Sequence, residues 1–189
     1  MTVEPAEAPA ALSVPTPGPA PASDPDAAKA ASAFASGPEA GSDPSLPALA
    51  VSACLCGVDC TYKAGNHTLA CLDELRKRYR LVLVCPETQG GLQAPRPPAE
   101  ICGERVRLKT GEDVSAQFAL GARRAVQTAL EHGCEAALLK EKSPSCGFGR
   151  VYDGTFSGTL IEGSGWGAAA LARAGVRVVG DSHVRDLLD

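Results

Sequence analysis

The sequence predicts an α/β domain: three-layer, Rossmann-like, with a four-stranded, mostly parallel sheet, preceded by a disordered N-terminal tail. Three observations carry that prediction. Short apolar runs alternate with segments of helical periodicity, the pattern of parallel strands joined by crossover helices. The runs are continuously apolar, as in strands buried on both faces. The composition also breaks near residue 48, dividing the 189 residues into a tail, 1–48, and a folded part, 49–189.

Residues 1–48 hold 10 of the 15 prolines and 14 alanines. Six acidic side chains there face one basic one, Lys29, so the tail carries −5 and the folded part is nearly neutral at +1, for a total of −4. Its few larger apolar residues (Val3, Leu12, Val14, Phe34, Leu46) bury too little surface to offset the entropy of ordering. The segment has no basic n-region followed by an apolar run, and its acidity argues against a presequence. The expected setting is therefore cytoplasmic. No run of about 18 apolar residues exists, so no membrane partner is expected. The acidic balance argues against a nucleic-acid partner.

Residues 49–53 are the first strand. Leu69, Leu72, Leu75 and Tyr79 recur at helical spacing and predict a helix over 67–79, with Asn66 as its N-cap. LVLV at 81–84 is the second strand, followed by a loop with Gly90, Gly91 and three prolines. Residues 104–109 read as a hairpin arm turning at Thr110–Gly111. A helix follows at about 114–132, capped by Asp113 or Ser115 and stopped by Gly133. Residues 135–140 are the third strand. A glycine-studded loop, 146–165, leads into a helix at 166–174. Gly175 ends it, 176–179 is the fourth strand, and 182–188 form a short closing helix.

All eight cysteines lie in the folded part. In a reducing compartment, clustered cysteines point to metal or redox chemistry before disulfides. Ligands of an open parallel sheet bind beyond the carboxyl ends of its strands. Cys54 follows strand one, Cys85 follows strand two, and Cys146 lies six residues past strand three, so three crossovers bring three thiols to one rim. Three thiolates with an open position suit an iron–sulfur cluster with one unligated iron. Cys56 or Cys60 is available as a fourth ligand, which leaves zinc and a four-cysteine cluster open. Cys71, mid-helix, and Cys134, at a helix end, read as structural; Cys102 lies in the loop arm.

Around these thiols, Pro144 shapes the loop Ser143-Pro-Ser-Cys-Gly147 and offers Ser143 and Ser145 beside Cys146. Glu87, two residues after Cys85, is a candidate acid/base group. Lys140 and Lys142 either favour anionic sulfur or form a solvated strand end. Arg96 either holds a substrate carbonyl or stabilises its loop. His67, His132 and His183 read as surface residues, and no Ser/His/Asp triad is apparent. A phosphate at 163–165, before a helix, is only weakly signalled.

Five motifs then stand in order: VSACLCG (51–57) with Cys60, VCPETQGGL (84–92), APRPPAEI (94–101), KSPSCG (142–147) and YDGTFSG (152–158). Together they resemble a small bacterial family long labelled a domain of unknown function, the 2-thiouracil desulfidases. The resemblance runs from about Val51 to Val179. It implies a [4Fe-4S] cluster on three cysteines, whose fourth iron takes the sulfur of a small thiolated substrate. Thiouracil would become uracil, with release of sulfide and no net electron transfer. By motif position the cluster ligands are Cys54, Cys85 and Cys146, and the assisting residues are Glu87, for the attacking water, and Ser143, for the substrate. Two departures bear on substrate identity: Cys56 stands where the family usually has Leu, and Tyr62-Lys63-Ala64-Gly65 where it has Tyr-Asp-Gly. The implied partners are the substrate and the iron–sulfur assembly machinery, with the chain a monomer or weak dimer. The alternative is a non-enzymatic metal- or cluster-binding thiol module that stores or senses.

Overall fold

The computed structural model describes residues 43–189; the tail expectation for 1–42 lies outside the described residues. The first strand, β1 (Ala48–Ser52), begins inside the segment assigned to the tail, and the Pro47 carbonyl accepts a hydrogen bond from the Arg80 amide. With β2 (Arg80–Val84), β5 (Ala136–Leu139) and β8 (Arg177–Gly180) it forms a four-stranded sheet in the order β2-β1-β5-β8. Every pairing in it is parallel.

Side chains alternate across the strands and load both faces. Leu49 and Val51 of β1 pack with Leu72 and Leu75 of α1 (Leu72–Arg78) and with Leu187 and Leu188 at the C-terminus. Ala50 packs on the opposite face with Val82, Val84, Ala125, Ala129, Ala168 and Leu171. Those last four residues belong to α3 (Ser115–Glu131) and α4 (Trp166–Arg173). Phe118, Ala122, Ala125 and Ala129 form the buried stripe of α3, and its three alanines let helix and sheet approach closely. The result is three layers, as the strand–helix alternation requires.

Several elements differ from expectation, each for a local reason. The 67–79 helix shortens to α1: residues 65–69 are irregular, tied to the preceding 3₁₀ turn by bonds from the His67 and Leu69 amides to the Cys54 and Leu55 carbonyls. Asn66 instead caps a turn, its Oδ1 accepting from the Thr68 amide and hydroxyl. Cys71 is consequently the N-cap residue, not mid-helix. A short α2 (Pro86–Gln89) opens the loop after β2, with Pro86 at its first position. The hairpin pairs β3 (Ala99–Cys102) with β4 (Arg105–Leu108) and turns at Gly103–Glu104, where Gly103 has φ +62°; the Thr110–Gly111 turn is the next reversal. Val114 is the N-cap residue of α3, while Asp113 Oδ1 accepts from the Ser115 amide. The glycine-studded loop contains a second hairpin, β6 (Arg150–Tyr152) with β7 (Leu160–Glu162), too short to leave an apolar signature. The closing helix is 3₁₀, Asp181–Leu187, broken at His183.

No helix among the described residues is long and apolar enough to cross a membrane. The strand order positions the site. From β1 the chain first adds β2 on one side, then crosses to add β5 on the other. That reversal opens a crevice beyond the carboxyl ends of β1 and β5.

Candidate active site

A cavity of about 480 Å³ occupies that crevice. Cys54, Cys60, Cys85 and Cys146 all line it. Cys54 sits in the 3₁₀ turn Ala53–Cys56 that continues β1, and Cys85 is the N-cap residue of α2. Cys146 follows the Ser143–Pro144–Ser145 turn beyond β5. All four are buried and free of disulfides. The three rim thiols expected from sequence thus share one cavity with a fourth, Cys60. Cys56 does not line it.

The four side chains are electrostatically linked. The Cys60 thiol is pushed up to about 12, first by its hydrogen-bond interaction with Cys54, with Cys85 working in the other direction. Cys85 is raised well above a normal thiol by Cys60 and by burial. Cys146 is pushed up to about 12, chiefly by burial, and interacts with Ser52 and Ser145. Raised in this way, Cys60, Cys85 and Cys146 stay protonated without a metal, and a bound cation would favour their thiolates. Among the described residues, no three His, Cys, Asp or Glu side chains converge closely enough for a single ion. A cluster is wider than an ion and spreads its cysteines around it, so an all-thiol donor set lining a cavity fits one.

One carboxylate stands beside the thiols. Glu87 Oε2 accepts from Arg96 Nε at 2.9 Å and Nη2 at 2.6 Å. The ion pair is nearly enclosed, the two side chains retaining 13% and 8% exposure. Glu87 Oε1 accepts from the Ser145 hydroxyl at 2.8 Å and, less closely, from Ser143 at 3.4 Å. The two carboxylate oxygens therefore have different neighbours, guanidinium on one side and hydroxyls on the other. Ser143 Oγ also accepts from the Ser145 and Cys146 amides, both at 3.1 Å, which fixes the turn carrying Cys146. Ser145, rather than Ser143, is the nearer partner of the carboxylate.

The remaining candidates divide. Arg96 binds Glu87 and the carbonyls of Gln93 and Cys60, so it stabilises the loop instead of reaching for a substrate carbonyl. Lys140 is paired with Asp181 at 2.9 Å. Lys142 lines the cavity with a left-handed backbone, φ +63°. His67 is exposed yet reaches the cavity wall, while His132 and His183 lie on the surface. The phosphate reading at 163–165 fails. The Trp166 and Ala168 amides bond the Pro144 and Ser145 carbonyls, and a Cβ on Gly165 would meet the Ser145 carbonyl carbon at 2.6 Å. This helix start is packed against the cysteine loop, with no room for an anion.

Sequence reasoning missed the roof of the cavity. Glu100, a buried carboxylate on β3, accepts from the Gly154 and Phe156 amides at 3.0 and 2.9 Å. It ties the Tyr152–Gly158 loop across the opening, where Tyr152, Phe156 and Lys109 join the lining. The signal was present as two motifs, APRPPAEI and YDGTFSG, but only the fold joins them. Ser52 was also missed: its hydroxyl accepts from the Lys140 amide at 3.0 Å and reaches Cys146. Cys134 is packed in the core with its thiol raised to about 11 by burial, as a structural thiol should be. Cys102 donates to the Gly154 carbonyl at 3.2 Å.

Fold and site together define a doubly wound α/β protein whose thiols gather at the switch point of its sheet. Comparison with known proteins narrows that class. The family model for 2-thiouracil desulfurase matches residues 49–183, and the chain belongs to that family. A curated relative, the uncharacterized protein YbbK of Bacillus subtilis (strain 168), is 39% identical over 148 residues, covering 73% of this chain and 98% of the relative. Among solved structures, the [4Fe-4S]-dependent thiouracil desulfidase TudS superposes with a TM-score of 0.71 at 42% identity. The match covers 75% of this chain and 95% of that one.

Proposed function

We propose that this protein is a [4Fe-4S]-dependent desulfidase acting on a small thiolated compound of the thiopyrimidine class, with 2-thiouracil as the model substrate. One observation carries the reading: buried thiols from three separate crossovers share a cavity with a carboxylate whose Oε1 faces only hydroxyls. Cys54, Cys85 and Cys146 would hold the cluster. When bound, it supplies an open iron, a Lewis acid for the thiocarbonyl sulfur.

The chain's own residues do the rest. Glu87 Oε1 takes the proton of the water that attacks the C=S carbon. Arg96 saturates Oε2, so the carboxylate offers only Oε1, in fixed orientation. Ser145 and Ser143 orient Oε1 and lie where a pyrimidine N–H or carbonyl can exchange hydrogen bonds with them. The roof loop held by Glu100 covers part of the opening, which would shield the reacting groups from bulk water. Sulfur leaves as sulfide with no change in electron count. A cytoplasmic setting, with assembly machinery loading the cluster, follows from the same reading.

The test is anaerobic reconstitution of the full chain with iron and sulfide, then incubation with 2-thiouracil. The expected result is a brown protein holding about four irons per chain, with uracil and sulfide formed in equal amounts over many turnovers. A loaded protein that releases no sulfide from any thiopyrimidine overturns the reading.

A further inference from the structure

The cavity holds one more thiol than the proposed reaction uses. Cys60 is neither remote nor at the edge of the set. It is buried and lines the same cavity as Cys54, Cys85 and Cys146. It also stands on a different kind of support. Cys54, Cys85 and Cys146 sit at a strand extension, a helix N-cap and a serine-fixed turn. Cys60 belongs to the irregular segment between the 3₁₀ turn and α1, entered through Gly57 at φ +93°. Arg96 Nη2 donates to the Cys60 carbonyl at 3.1 Å, and the Cys60 amide bonds the Val58 carbonyl within the same segment. The same guanidinium nitrogen binds Glu87. A small displacement of the Cys60 thiol therefore disturbs no strand or helix, while its mean position is set by the residue that orients the carboxylate.

We propose that Cys60 is a displaceable fourth ligand, closing the open iron between turnovers and yielding it to the substrate's sulfur. The proposal rests on the cluster reading above. It follows from the shared cavity: a buried thiol lining the same space as the three cysteines proposed to hold the cluster is available to the iron they leave open. The exchange balances without an oxidant or reductant. The iron–sulfur bond to Cys60 breaks, one to the substrate sulfur forms, and each sulfur brings its own electron pair. The proton that a thiopyrimidine loses from nitrogen on binding through sulfur goes to the departing Cys60 thiolate. After hydrolysis the reverse exchange returns Cys60 to the iron, its proton leaving with hydrosulfide as hydrogen sulfide.

Two measurements on the anaerobically loaded full chain test this, neither of them turnover. First, hydrosulfide is titrated into wild type and Cys60→Ala, without substrate, and followed by electron paramagnetic resonance of the reduced cluster. Removing an internal competitor that holds the iron most of the time should tighten hydrosulfide binding by about tenfold or more. Iron content should be unchanged. Second, the wild-type protein is treated with iodoacetamide and mapped by mass spectrometry. Cys60 should resist alkylation until hydrosulfide is added, a readout that stands even if the variant folds poorly. Equal hydrosulfide affinity, or Cys60 alkylated at the same rate with and without hydrosulfide, would overturn the proposal. So would loss of the cluster in Cys60→Ala with full retention in Cys85→Ala, since Cys60 would then be a permanent ligand. A wild-type chain that takes up no iron removes the functional reading as well, whereas a normal cluster with Cys60 free removes this proposal alone.

Discussion

Cys54 and Cys56 are two residues apart, both buried, and sit in the same 3₁₀ turn. Cys54 lines the cavity with three other thiols, three carboxylates and three serines. Cys56 lies among the aliphatic side chains of the α1 face, its thiol pushed up to about 11 by burial with only Arg76 opposing. The same contrast separates Cys146 from Cys134. Burial is common to both groups and decides nothing. What differs is whether the side chain lines the cavity at the mouth of the sheet: Cys54 and Cys146 do, and Cys56 and Cys134 do not.

Substitutions at the mouth and away from it should differ, and the largest effect is expected at Glu87. Glu87→Gln keeps the shape of the mouth and removes the base. The cluster should remain and turnover should fall by roughly 10²-fold or more, as for loss of a general acid–base group; steady-state kinetics on the loaded variant read it, and normal turnover would take Glu87 out of the mechanism. Arg96→Met leaves a carboxylate enclosed without its counter-charge. It should cost roughly 3–5 kcal/mol in urea unfolding, as expected for breaking a buried pair, whereas Arg76→Met, beside Cys56, should cost far less. Ser145→Ala should slow turnover by about tenfold, the worth of one hydrogen bond to a charged group. Ser143→Ala has the longer contact to Glu87 but holds the turn of Cys146 through two amides, so its loss should show in cluster lifetime before it shows in rate. Cys134→Ala should cost only about 1 kcal/mol, as for a small core deletion, with iron content intact. Removal of residues 1–42 should change neither iron content nor turnover, because that Pro/Ala-rich, acidic composition has little to contribute to a core.

Much of this was legible in the sequence, and the part that was not has a physical reason. The four sheet strands are short, continuously apolar runs between helical patterns, a signal that survives without knowledge of contacts. The rim cysteines could be read because strand ends could be read. Hidden from sequence were interactions made by backbone across the fold. The first residues of the helix expected at 67–79 are instead tied to the carbonyls of Cys54 and Leu55, a backbone pairing that no side-chain pattern reveals. The β6–β7 hairpin has three-residue strands, and its apolar content is too slight to show a period. Cys60 sits in a loop without periodicity, so its return to the cavity depends on the path from Gly57 and on Arg96, far along the sequence. Ser145 and Ser143 are indistinguishable as letters beside a proline; only the geometry of the turn directs the first toward Glu87.

On the proposed function, the mouth of the sheet, and not cysteine content, would build the centre. The most direct test is iron bound per folded chain across all eight single Cys→Ala variants, each reconstituted anaerobically and checked for native circular dichroism. The four-iron centre should be lost in Cys54→Ala, Cys85→Ala and Cys146→Ala. It should be retained in Cys56→Ala, Cys71→Ala, Cys102→Ala and Cys134→Ala, and in Cys60→Ala as well. Full iron in the three mouth variants, or loss confined to the cysteines outside the cavity, would contradict that assignment.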